Sequence, residues 1–156
     1  MQPGKSDLRA LAQGRQRGFS LIELMVVLVI IAILAAITYP SYLESVRKTR
    51  RAEGRVALLQ LMQQQERYYS QNGIYIAFSS TEPNGYQWYS GTTPASSAYE
   101  IAAEACEEDT LENCIVLTAT PGTRSVNSAH RGDACGNLSL SSNGVRTASG
   151  HGVHCW

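Results

Sequence analysis

GFSLIELMVVLVIIAILAAI, residues Gly18 to Ile37, is an apolar run of membrane length that carries a single acid, Glu23. At a helical rise of about 1.5 Å per residue, the segment from Phe19 to Tyr39 spans roughly 30 Å, the thickness of a bilayer core. Its Leu, Ile and Val residues favour insertion by about 4 to 7 kcal/mol in sum. An acid at the membrane centre opposes this by only about 2.5 to 3.5 kcal/mol, and Glu23 sits near one end of the run, where the penalty is smaller. Ser20 followed by Glu23 has capping-box spacing, which places a carboxylate at the positive end of a helix dipole.

An ordinary secretory signal has its small-residue cleavage site after the apolar region. Here Thr38-Tyr39-Pro40 follows instead and leads into a charged helical pattern. Cleavage is therefore expected before the run, where Arg15-Gln16-Arg17-Gly18 sets a small residue behind basic ones. Gly18-Phe19-Ser20-Leu21-Ile22-Glu23-Leu24, joined to an apolar helix and a downstream Pro40, resembles the processing and assembly signature of the type IV pilin family. The resemblance implies that residues 1–18 are a leader removed by a prepilin peptidase between Gly18 and Phe19. Phe19 would then be N-methylated, and Glu23 would meet the amino terminus of a neighbouring Phe19 as the fibre assembles. Such a partner suits the physics, because a buried carboxylate is tolerable chiefly when it is charge-paired.

The formal net charge of zero over 156 residues conceals two opposed halves. Through Ala52 there are eight basic residues against three acidic ones, and from Glu53 onward five against ten, so the halves carry +5 and −5. The acidic outer half argues against general nucleic-acid binding, which needs clustered Lys or Arg, and nucleic acid is not expected as a partner. Arg47, Lys48, Arg50 and Arg51 follow the apolar run almost as densely as basic residues precede it, so the positive-inside rule leaves orientation nearly undecided.

Pro40 should bend or loosen the helix rather than end it. Beyond it Leu58, Leu61, Met62, Gln65 and Tyr69 recur at three- and four-residue steps, an amphipathic stripe that needs a partner surface. Gly54 weakens the helix locally, and Asn72-Gly73 signals its end, which predicts one helix over about 19–71. A polar connection over 79–97, with Tyr86, Trp88 and Tyr89 set into it, exceeds ordinary loop length. Strands are predicted at Tyr99–Ala103 and Cys114–Thr120, and a hairpin at Leu138–Ser141 and Val145–Ala148 around Asn143-Gly144. The expected fold is α+β: a long N-terminal α-helix, transmembrane in its first half, packed on a small antiparallel β-sheet, as the resemblance to pilins implies. The expected divisions are 1–18, 19–52 for the transmembrane and assembly half of the helix, and 53–156 for the globular head.

All four cysteines fall after Glu100, an even set that favours disulfides in an exported domain. Of three connectivities, Cys106–Cys114 with Cys135–Cys155 is preferred, because each closes a segment of turn character and the second ties down the chain end. The loop-entropy model gives about 2.6 and about 3.3 kcal/mol for the two. Zinc at His151, His154, Cys155 and Cys135 is the rival reading, but the spacing matches no compact C-x-x-C pair. Asp109 and Glu112 lack the ligand spacing of a calcium loop, and no catalytic motif is present, so neither metal, cofactor nor enzymatic activity is expected.

Glu66-Arg67-Tyr68-Tyr69 with Asn72-Gly73 and Tyr75, Ala119-Thr120-Pro121-Gly122, Asp133-Ala134-Cys135-Gly136-Asn137-Leu138-Ser139-Leu140 and Cys155-Trp156 resemble PilE-like minor pilins. The stretch from Phe78 to Ser97 matches weakly, and Thr123 to Arg131 is extended relative to that pattern. The resemblance implies a type IV pilus subunit, a minor pilin, that supports pilus biogenesis, twitching motility and adhesion. Its partners would be other pilin subunits met through the N-terminal helix, the prepilin peptidase and the pilus assembly machinery. It would reside in the bacterial inner membrane as a single-pass protein with a periplasmic head, and later in the extracellular pilus. A type II secretion pseudopilin and a DNA- or ligand-binding minor pilin are the alternatives.

Overall fold

The computed structural model describes residues 18–156, so the leader reading falls, apart from Gly18, outside the described residues. The described residues divide into two units, 18–40 and Ser41–Trp156. One helix, α1, runs over Leu21–Asn72 with Pro40 inside it. It begins two residues later than Phe19 because Ser20 acts as its cap. The Glu23 N–H donates to Ser20 Oγ at 3.3 Å, and the Leu24 N–H reaches the Ser20 carbonyl at 3.3 Å. At the other end Gly73 takes a left-handed backbone, φ 71°, and its N–H donates to the Tyr69 carbonyl at 2.8 Å.

In the first unit the side chains from Leu21 to Ile37 are exposed, and among the described residues α1 is the helix long and apolar enough to cross a membrane. In the second unit α1 changes character. Ala57, Leu58, Leu61, Met62 and Gln65 turn inward and are buried, as their three- and four-residue spacing requires.

Their cover is a four-stranded antiparallel meander, β1 (Tyr99–Ala105), β2 (Ile115–Pro121), β3 (Leu138–Ser141) and β4 (Arg146–Ala148), in that spatial order. Tyr99, Ile101 and Ala103 of β1, Ile115, Leu117 and Ala119 of β2, and Leu138 and Leu140 of β3 alternate inward and share one core with the helix stripe. The register fixes this alternation, with Ala103 opposite Leu117 and Leu117 opposite Leu140. Each predicted strand is present, with shifts of a residue or two at its ends.

The long connector is not free of the sheet. Phe78 bridges to Ala103 and Tyr89 to Glu100, so the segment lies along the outer edge of β1 and shields it. Gln65, fully buried, holds its start. Its side-chain amide donates to the Ile76 carbonyl at 2.7 Å and its oxygen accepts the Ile76 N–H at 3.0 Å, as a neighbouring strand would.

Candidate functional site

Gly18 and Phe19 precede the first turn of α1, and both are exposed. Glu23 stands in that first turn, three residues from its capping Ser20. Pro40 lies within α1 without ending it.

The cysteines form Cys106–Cys114 and Cys135–Cys155, with Cα separations of 5.4 and 5.5 Å. The first closes the β1–β2 turn, where Glu107, Glu108 and Asp109 are exposed and Asp109 accepts hydrogen bonds from the Thr110 N–H and the Asn113 side chain. Those donors hold the Asp109 carboxyl below its ordinary pKa, the Asn113 bond contributing most. The second disulfide takes up both thiols of the zinc reading. Among the described residues no three or more His, Cys, Asp or Glu side chains converge where a metal ion would sit.

That second disulfide also shapes a cleft of about 680 Å³ within the second unit. One wall is α1 from Leu43 to Arg51, a second is the segment Ala129–Ala134, and a third is Gly152–His154. The middle wall starts from a short 3-10 turn, Ser128–His130, capped by Asn127, whose side chain accepts the Ala129 N–H at 3.0 Å. The third wall lies tightly on the second, with the Gly150 N–H on the Cys135 carbonyl and the Gly152 N–H on the Ala134 carbonyl, each at 2.9 Å. A side chain at Gly150 would meet the Ala134 carbonyl oxygen at 2.2 Å, so the approach depends on glycine there.

Five basic side chains line the cleft besides the buried Arg51: Arg47, Lys48, His130, Arg131 and His154. Arg47, Lys48, Arg131 and His154 are exposed, and Arg47 makes only a loose contact of 3.9 Å with Glu44. Arg51 is neutralised by Asp133, its Nε donating to both carboxylate oxygens at 3.0 Å. Of the two acids in the lining, Asp133 is held by Arg51, and Glu44 lies 3.6 Å from Arg51 and 3.9 Å from Arg47. Burial pushes His130 below its ordinary pKa, the Arg50 cation adds to that, and Asp133 acts in opposition. The arrangement is a concave surface that gathers the cations of Arg47, Lys48 and Arg131 with the imidazoles of His130 and His154, from both helix and loops, and is suited to a polyanion.

Reading the sequence alone did not single out His130 or Arg131, and it considered His154 only as a zinc ligand. The signals present were the basic group at Arg47–Arg51 and the extended Thr123–Arg131 stretch, but nothing in either says that the fold brings both to one cleft. Net charge averages over the whole surface, whose exposed carboxylates at Glu104 to Glu112 lie outside the lining of the cleft.

Comparison with known proteins bears on both the helix and the cleft. Residues 40–139, more than half of the chain, match the family profile described as type IV minor pilin ComP, DNA uptake sequence receptor. Residues 13–39 match the prokaryotic N-terminal methylation motif. A solved structure described as the high-resolution structure of a type IV pilin from Shewanella oneidensis is similar at 27% identity, covering 70% of this chain and 97% of that one, with a TM-score of 0.45. No curated protein matches the chain. The apolar helix and the methylation motif together fit a membrane-anchored subunit. The expectation that nucleic acid is not a partner finds no support in the matched description.

Proposed function

Because the chain belongs to the type IV minor pilin family of ComP, the DNA uptake sequence receptor, we propose that it is a minor pilin whose head engages DNA in the basic cleft. The observation that carries this reading is the convergence of Arg47, Lys48, Arg131 and His154 on one concave surface of an otherwise acidic head. Arg and Lys on such a surface neutralise phosphates and release counterions, which supplies affinity without regard to sequence. In this reading the leader 1–18 is removed, Phe19 is methylated, and α1 moves from the inner membrane into a fibre of neighbouring pilin helices. The head faces the periplasm first and the exterior later.

The test is binding of labelled duplex DNA to the full chain in an uncharged detergent, over a series of salt concentrations. Affinity should fall linearly on logarithmic axes, and Lys48→Ala and Arg131→Ala should each reduce the slope by about 1. Absence of binding at low salt, or indifference to both substitutions, would sink the DNA reading.

A second reading retains the helix chemistry and omits DNA: a subunit that supports pilus biogenesis, twitching motility and adhesion. The exposed carboxylates Glu104, Glu107, Glu108, Asp109 and Glu112 favour it, since they repel phosphate over much of the head. Deletion that removes pili or motility while DNA uptake persists would select it, and a secretion defect with intact pili would select the type II pseudopilin alternative.

A further inference from the structure

The four cations Arg47, Lys48, Arg50 and Arg51 read as one basic patch in the sequence, but the fold divides them. Arg50 is paired with Glu53 at 2.7 Å. Arg51 is withdrawn altogether, its side chain 6% exposed and that of Asp133 5%. Asp133 does more than neutralise it. Its Oδ1 accepts the Cys135 N–H at 2.9 Å, and its backbone carbonyl accepts the Gly136 N–H at 2.9 Å. Cys135 is bonded to Cys155, and Ala134 and Cys135 carry the third wall through Gly150 and Gly152. Both loop walls of the cleft thus hang from the Asp133–Cys135 segment, and that segment is tied to α1 by Arg51.

We propose that the Arg51–Asp133 pair is the clasp that sets the cleft, with Arg51 a positioning residue rather than a phosphate contact. This rests on the reading of the cleft as a DNA site. It carries a consequence opposite in sign to simple electrostatics. Asp133→Asn removes a negative charge beside the cleft, which would tighten DNA binding if Asp133 merely repelled phosphate or if Arg51 were waiting to be freed. As a clasp, Asp133→Asn instead releases the loop walls from the helix and weakens binding by about tenfold or more.

The experiment compares the full chain, Asp133→Asn, Arg51→Met, Asp133→Leu and the double variant Arg51→Met/Asp133→Leu, all in uncharged detergent. The readouts are affinity for labelled duplex DNA and hydrogen exchange of the Cys135, Gly136 and Gly152 amides. Asp133→Asn should weaken DNA binding and speed exchange at all three amides. The double variant, which leaves no unpaired buried charge, should recover most of what either single variant loses. Tighter DNA binding by Asp133→Asn, unchanged exchange at those amides, or losses that simply add in the double variant would overturn the clasp. If Asp133→Asn does not fold, Arg51→Met decides: faster exchange at those amides together with weaker binding supports the clasp, and wild-type exchange overturns it. If the unaltered chain binds no DNA, the DNA reading fails, and the exchange measurement still decides whether the pair holds the walls.

Discussion

Gly54 is a residue whose sequence reading and structural reason differ. In the sequence it is a weak point in a helix, worth about 1 kcal/mol less than Ala. In the fold it is buried because the Tyr99 ring lies on it: a methyl group there would meet Tyr99 Cδ2 at 2.9 Å and Cε2 at 3.1 Å. Tyr99 is 1% exposed, so the ring has little room to yield. Gly54→Ala should therefore lower stability by about 1 to 2 kcal/mol, overpacking outweighing the propensity gain. A thermal midpoint equal to or above that of the unaltered protein would contradict this. His130 supplies a pH dependence at the same scale. Its folded pKa lies below the ordinary value of 6.5, so the unfolded chain takes up the proton first as pH falls. Its contribution is fully present above about 6.5 and is lost as pH falls through the folded value. The melting temperature should fall between about pH 7 and pH 5, and His130→Gln should flatten that slope. An identical slope in the variant would exclude His130 as its source.

At the scale of elements, the second half of α1 persists because the meander covers its stripe, and the sheet persists because its edges are managed. Phe78 and Tyr89 bridge along β1, while β4 is only three residues long, and the indole N–H of Trp156 donates to the Thr147 carbonyl on it at 2.7 Å. Short and covered edges resist pairing with other chains. The two disulfides sit in different structural settings. Cys106–Cys114 closes a turn at the acidic end of β1, whereas Cys135–Cys155 holds two walls of the cleft. Replacing Cys135 and Cys155 together by Ser should cost about 3.3 kcal/mol and also weaken DNA binding. The corresponding change at Cys106 and Cys114 should cost about 2.6 kcal/mol and leave DNA affinity within about twofold. Equal effects of the two changes on DNA affinity would show that the cleft does not depend on its disulfide. Much of this level was legible beforehand, since helix stripe, strand alternation and the Asn143-Gly144 turn are local signals. The contact of the connector with β1 was not, because it joins residues through isolated bridges that leave no periodic trace.

At the scale of the whole molecule, the opposed charges of the two halves follow the division of labour proposed for them. Glu23, in the first turn of an apolar helix, is proposed to take its charged partner from another subunit. Intact mass and N-terminal sequencing of the protein from its host should give methylated Phe19. Any other amino terminus removes the processing scheme. Glu23→Ala should leave that processing largely unchanged and reduce incorporation into pili by about tenfold, an effect equivalent to losing one charge pair of about 1.4 kcal/mol. Undiminished incorporation would remove Glu23 from assembly.

The sequence by itself determined the apolar span with its lone acid, the amphipathic continuation, the approximate strands and the even set of cysteines. Each is written in spacing along the chain, at the period of a helix or a strand. Only the tertiary structure decided which cations face outward. Arg50 and Arg51 are indistinguishable from Arg47 and Lys48 until Glu53 and Asp133 are brought beside them. The cleft is a product of long-range closure, with one wall from α1 and two from segments beyond β2, and charge that converges in space need not cluster in sequence.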